Sequence, residues 1–223
     1  MGLFGDFMIV LNLKTYEQII KNPLYYVDIV KEVVGESGVR VAIAVPAPYL
    51  KEAVERYSDV YAQHLDPYSP GAHTGSIVAE MLASLRVRGT LINHSEKRME
   101  PGMVRKAIER AHLFNLETIV CGETPGECEM LAESSPSFIA IEPPELIGSG
   151  ISVSTAKPEL IVDTVKKIKA KNPAVRVLCG AGVNNKDDVK KALMLGAEGV
   201  LLASAFVKSE NPKEFLRDLT SVF

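Results

Sequence analysis

Residues 176–202, RVLCGAGVNNKDDVKKALMLGAEGVLL, read as a strand, a glycine turn, a helix and a second strand. Residues 176–179 and 199–202 are apolar without alternation, as strands covered on both faces of a parallel sheet must be. Between them, 187–195 carries apolar residues at helical spacing and ends at Gly196. Glycine is a natural helix stop because it takes the left-handed conformation without steric cost. Two parallel strands joined through a helix make one βαβ step.

The same alternation extends in both directions. Strands are expected at 7–11, 39–44, 59–62, 89–92, 118–121 and 138–141. Helices are expected at 19–34 (stopping before Gly35), 49–57, 77–85, 103–114, 127–133, 159–169 and 212–220. Pro101, Pro158 and Pro212 suit the first turn of a helix, where a missing N–H costs nothing. Eight β-then-α units in 223 residues average about 28 residues each, near the size of a lean βαβ step. Eight is also the count of a (β/α)8 barrel. The alternative, an open doubly wound sheet, usually carries a glycine-rich fingerprint after its first strand. Here that position reads Asn12-Leu13-Lys14-Thr15. With no linker or low-complexity tract, the expectation is an α/β chain forming one (β/α)8 TIM-barrel domain over 1–223.

Composition narrows the function classes. An apolar content of 47% excludes a disordered chain. Twenty-five basic against 28 acidic residues give a net charge of −3, with no basic block for nucleic acid. Three cysteines without framework spacing argue against a secreted disulfide scaffold and for a reducing compartment. No run reaches the ~18 apolar residues of a membrane span. The opening MGLFGDFMIV lacks the basic region and long apolar stretch of a signal peptide, and Asp6 departs from the myristoylation pattern. A cytoplasmic protein with no membrane or nucleic-acid partner is expected. No His/Cys/carboxylate grouping has metal spacing, so no metal is expected.

In such a barrel, chemistry sits at the C-terminal ends of the strands. There stand Asn12 and Lys14; Gln63 and His64; Asn93, His94, Ser95 and Glu96; Gly122 and Glu123; Glu142; Gly180-Ala181-Gly182-Val183; and Ala203-Ser204. One Lys, one His and one Glu on a shared face form an acid–base constellation. A carboxylate acts as base on a carbon acid, a His polarises a carbonyl, and a fixed cation stabilises an enolate. Taken singly, Glu142 also reads as an ion-pair or capping residue, His94 as a satisfied loop histidine and Lys14 as a solvated lysine. Context favours function. Stiff Pro143-Pro144-Glu145 leads into Leu146-Ile147-Gly148-Ser149-Gly150, the pattern of a lid. Closure over Glu142 would desolvate it and raise its basicity. Ser95 and Glu96 can cap the turn after His94, and a helix N-terminus there keeps an imidazole neutral. The small residues after strands seven and eight offer backbone N–H groups to an anion, with a short helix at 205–207. His64 is read as loop support, and Cys121 and Cys179 as small buried apolar residues.

Asn12-Leu13-Lys14, the run Ile92-Asn93-His94-Ser95-Glu96-Lys97-Arg98, Ala140-Ile141-Glu142-Pro143 and Ala203-Ser204 together resemble the triosephosphate isomerase family across the whole chain. The compact length and the lid from Glu142 to Gly148 resemble its short archaeal branch. The resemblance implies cofactor-free interconversion of dihydroxyacetone phosphate and D-glyceraldehyde 3-phosphate, a step of glycolysis and gluconeogenesis. By that resemblance Glu142 is the base and neutral His94 the electrophile. Lys14, with Asn12 alongside, holds substrate and stabilises the enediolate. Glu96 orients the site, and Ile147, Gly182, Ala203 and Ser204 meet the phosphate through their backbone. Longer members carry a serine in the strand-seven turn and G-G-A-S at strand eight. Here Ala181-Gly182 and Leu201-Leu202 stand there, leaving backbone contacts only. The loop Gly71-Ala72-His73-Thr74-Gly75 resembles the family's interdigitating third loop, although Ser76 replaces its usual Glu. Thr74 would then enter a neighbouring subunit and support its lysine and asparagine, in a homo-oligomer, dimer or tetramer, with the tetramer favoured. Two rivals remain on the same scaffold: a Schiff-base aldolase, which needs a desolvated lysine, and a non-catalytic sugar-phosphate sensor, which needs the anion site but no base.

Overall fold

Runs of β-branched and aliphatic residues form eight strands: β1 (Met8–Asn12), β2 (Arg40–Val45), β3 (Val60–Ala62), β4 (Gly89–Ile92), β5 (Glu117–Gly122), β6 (Phe138–Ile141), β7 (Arg176–Cys179) and β8 (Gly199–Leu202). The structure, a computed structural model, describes residues 7–146 and 152–223. Each strand pairs in parallel with the next, and β8 closes on β1 with Met8 opposite Gly199. The strands lack alternation because both faces are buried. Met8, Val10, Tyr61, Leu91, Phe138 and Leu178 pack together in one cluster. Their neighbours Ile9, Leu11, Ile139 and Ile141 pack in separate clusters with helix residues. The expected (β/α)8 barrel is the observed architecture.

The helices are α1 (Glu17–Lys21), α2 (Pro23–Ser37), α3 (Leu50–Arg56), α4 (Ala79–Ser84), α5 (Pro101–Leu113), α6 (Pro125–Ala132), α7 (Val153–Ala156), α8 (Pro158–Lys171), α9 (Lys186–Met194), α10 (Ser204–Val207) and α11 (Pro212–Thr220). Three differ from expectation. The helix expected at 19–34 is two, because Pro23 excludes Asn22 from the helical region; Asn22 sits at φ −153°, ψ 72°. α2 then runs through the exposed Gly35 and stops at Gly38, whose φ of 70° is the left-handed cap. A glycine inside an exposed helix costs about 1 kcal/mol relative to alanine and need not end it. α7 was not anticipated; four residues carry too little periodicity to read.

At the N-terminal mouth of the barrel, charge is gathered rather than scattered. Arg40 donates to Asp59 Oδ2 at 2.8 Å and to Glu117 Oε2 at 2.9 Å. Tyr61 Oη donates to the same Glu117 oxygen at 2.5 Å, and Arg88 Nε donates to Glu117 Oε1 at 2.8 Å. Among the described residues no helix is long and apolar enough to cross a membrane. The opposite mouth, at the strands' C-terminal ends, holds the candidate site.

Candidate active site

β1 delivers Asn12 and, two residues on, Lys14. Lys14 takes a left-handed φ of 49°, which a non-glycine residue adopts at a cost. A local bond offsets it, Lys14 N donating to Asn12 Oδ1 at 3.0 Å. Gln63, just after β3, braces both residues. Its Nε2 donates to Asn12 Oδ1 at 3.1 Å and to Lys14 O at 3.2 Å. Lys14 Nζ reaches Glu96 Oε1 at 2.7 Å. Sequence alone gives Gln63 no role beyond its place after β3; its bonds to Asn12 and Lys14 supply one.

β4 delivers His94 through Asn93, whose φ is 61°. His94 is buried and heads the tight turn Ser95–Lys97. The capping differs from expectation, since the imidazole itself is the cap. Glu96 N donates to His94 Nδ1 at 3.1 Å, which assigns the ring proton to Nε2. Burial pushes the imidazole down to about 4, helped by Lys14 and opposed by Glu96. The ring is neutral at pH 7.

β6 delivers Glu142, the first residue beyond it, whose N–H donates to Gly122 O at 2.8 Å. The residue is 2% exposed. Burial pushes the carboxyl up to about 7, against the opposing pull of the Cys121 thiol and of Lys14. Oε1 lies 3.8 Å from His94 Nε2, too far for a hydrogen bond. Among the described residues, neither Glu142 Oε2 nor the nearby-in-sequence Ser95 Oγ of the His94 turn has a hydrogen-bond partner. Gly180 makes room for the carboxylate: a Cβ there would stand 2.5 Å from Glu142 Cγ.

The turn after β7 and the start of α10 complete the wall. Gly182 has φ 71°, and its carbonyl accepts from Asn184 Nδ2 at 2.5 Å. Asn184 N donates to Asp188 Oδ2 at 2.9 Å. Asn185 caps α9, its Oδ1 accepting from Asp187 N and Asp188 N at 2.9 and 3.0 Å. Ser204 opens α10, the short helix expected there. Lys14, His94 and Glu142 line one cavity together with Gly182, Ala203 and Ser204. Ile147, and with it the lid pattern from 147 to 150, lies outside the described residues. Asn12 and Glu96 border a second hollow, which they share with Lys14, Gln63, His64 and His94.

Other candidates stand apart from the cavity of Lys14, His94 and Glu142. His64 Nε2 lies 3.2 Å from Asp66 Oδ1, whose other oxygen accepts from Ile77 N at 2.8 Å. It therefore holds the base of the loop that carries Thr74. His73 stacks on Tyr68 at 4.3 Å, and Thr74 is exposed. The cysteines are free and buried. Among the described residues no group of His, Cys, Asp and Glu is arranged to hold a metal ion. A cavity holding a neutral imidazole, a fixed ammonium and a carboxylate of raised basicity is equipped to move protons on a small anionic substrate.

A family profile described as Triosephosphate isomerase matches residues 7–220. The chain is 47% identical over 214 residues to a protein named triosephosphate isomerase from Methanocaldococcus jannaschii, covering 95% of this chain and 98% of that one. It is 43% identical to proteins of the same name from Methanobrevibacter smithii (96% and 97% covered) and Methanothermus fervidus (95% and 96% covered).

Proposed function

The chain belongs to the triosephosphate isomerase family, in its short archaeal branch, and from that premise we propose how its residues divide the work of interconverting dihydroxyacetone phosphate and D-glyceraldehyde 3-phosphate. Glu142 carboxylate takes a proton from the carbon beside the carbonyl. The electron pair left behind moves into an enediolate, whose charge Lys14 Nζ stabilises. His94, protonated on Nε2, polarises the carbonyl and carries a proton between the two oxygens. Glu142, now a carboxylic acid, returns its proton to the neighbouring carbon. No oxidant or reductant enters, and the proton count closes. A neutral imidazole suits the step because its Nε2–H donates to one substrate oxygen and the ring nitrogen recovers a proton from the other. Asn12 and Glu96 orient Lys14, and Glu96 also fixes the His94 ring. Gly182, Ala203, Ser204 and Ile147 meet the phosphate through backbone N–H groups.

One observation supports these roles above all: Lys14, His94 and Glu142 line the same cavity as the phosphate-facing turns. A Schiff-base aldolase would need its lysine where Glu142 stands. Proton exchange at the substrate carbon beside the carbonyl, followed in deuterated water, tests the reaction type. Glu142→Gln tests the base: turnover should fall by several orders of magnitude while ligand affinity persists. Normal turnover would refute the role, and binding without turnover in the parent protein would favour a sensor.

The chain works as a homo-oligomer, with Thr74 of one copy seated in the second hollow of another, beside Asn12 and Lys14. The exposure of residues 69–75 and the presence of that hollow support this. A tetramer is the favoured state, supported by exposed Met81, Leu113 and Met130 on successive helices. Light scattering gives the copy number. A fully active monomer would refute the role of Thr74. Free buried cysteines suit a cytoplasmic location.

A further inference from the structure

The loop that carries His94 begins on a strained residue. Asn93, the first residue beyond β4, holds φ at 61° and is 2% exposed. Asparagine is among the few residues other than glycine that enter the left-handed region routinely. Its side chain also does work that glycine could not. Nδ2 donates to Cys121 O of β5 at 2.9 Å, and Oδ1 accepts from Met99 N at 2.9 Å. One amide thereby ties a barrel strand to the far end of the loop that His94 opens.

α6 braces this amide. Glu127 Oε1 lies 3.5 Å from Asn93 Nδ2 and pairs with Arg98, whose Nη1 reaches Asn93 O at 3.5 Å. Glu127 Oε2 accepts from Glu123 N at 2.7 Å. Glu127 is itself placed by the cap of α6, its N–H donating to Thr124 Oγ1 at 3.2 Å. Asn93, Arg98 and Glu127 all lie outside the cavity shared by Lys14, His94 and Glu142, so none of them meets substrate there.

We propose that Asn93, braced by Glu127 and Arg98, is a positioning residue for the isomerase reaction: its left-handed backbone and doubly bonded amide fix where the His94 imidazole stands. The physical reason is leverage. His94 is the next residue, so a change in the Asn93 backbone swings the whole ring. A displacement of about 1 Å in a catalytic group can cost about a hundredfold in rate. The proposal rests on the role given to His94 above.

Asn93→Gly leaves the left-handed backbone accessible and removes both amide bonds. Its kcat should fall about tenfold with KM held within about twofold, the signature of lost transition-state geometry. With histidine nitrogens labelled, the His94 Nδ1 resonance should shift as the bond from Glu96 N is disturbed. Glu127→Gln keeps shape and removes the charge paired with Arg98; it should show the same two changes, smaller in size. It carries the test if Asn93→Gly does not fold. A merely structural residue would lower Tm and leave kcat and the His94 resonance at parental values, and that result would overturn the proposal. His94→Gln, measured in parallel, separates the failures. If it loses orders of magnitude while Asn93→Gly loses nothing, the positioning role is wrong and the role of His94 stands. If His94→Gln turns over normally, the role of His94 falls, and the proposal with it.

Discussion

Glu142 is an acid held where its charge is costly. Its folded pKa, near 7, exceeds the ~4.3 of a free glutamate. Between those values the folded protein keeps a proton that the unfolded chain has lost, so stability falls as pH rises through this window and stays low above it. Glu142→Gln should therefore raise Tm by a few degrees at pH 8, and the gain should shrink toward pH 5; melts at the two pH values check it. With Glu142 in its proposed role as base, kcat/KM should fall about tenfold per pH unit below pH 7. His94 has the opposite sign. Its folded pKa, near 4, lies below the ~6.5 of a free imidazole, so it weakens the fold as pH falls from 6.5 toward 4. Gly180 is the steric counterpart of Glu142. A Cβ at 2.5 Å from Glu142 Cγ must displace the carboxylate, and Gly180→Ala should cut kcat at least tenfold by the same geometric sensitivity. A kcat within twofold of the parent would show that the carboxylate tolerates the shift.

At the scale of elements, caps couple stability to binding. Asn185 accepts from two N–H groups of α9, and Asp188 within that helix accepts from Asn184 of the turn that bears Gly182. Asn185→Ala should cost about 1 kcal/mol, the worth of an N-cap, or roughly 2–4 °C in Tm for a chain of this size. It should also raise KM more than it lowers kcat, because in the proposed assignment the turn at Gly182 meets the phosphate. Calorimetry and steady-state kinetics on one preparation check both. The helix ends were legible because their signals are local. Gly196 and the prolines at 101, 158 and 212 are punctuation set by their own backbone chemistry. The break at Asn22 is likewise written in Pro23. The stop at Gly38 rather than Gly35 was not, because two glycines three residues apart offer the same local choice; in the fold it is Gly38 that turns left-handed, its N–H donating to Val34 O.

Across the whole molecule the two mouths of the barrel divide stability from chemistry. The network of Arg40, Asp59, Tyr61 and Glu117 stands at the N-terminal mouth, away from the candidate site. Arg40→Met leaves Glu117 half-buried with one cation fewer. Removing one partner of a buried pair costs about 3–5 kcal/mol, and the partial exposure of Arg40, 28% of its side chain, discounts that. Tm should fall by several degrees while kcat and KM stay parental; altered kinetics would mean that the mouths communicate.

The sequence by itself determined the alternation of elements, because turn chemistry and apolar periodicity act over a few neighbouring residues. It also determined which face could carry chemistry: Lys14, His94 and Glu142 each follow a strand by at most two residues. Tertiary structure alone decided who supports them. Lys14 meets Glu96 across 82 positions, Gln63 meets Asn12 across 51, and Asn93 meets Glu127 across 34. Such contacts exist only once parallel pairing and the curling of the sheet bring the ends of β1, β3, β4 and β5 to one mouth, since a hydrogen bond acts only over about 3 Å and residues so distant in the chain meet in no other way.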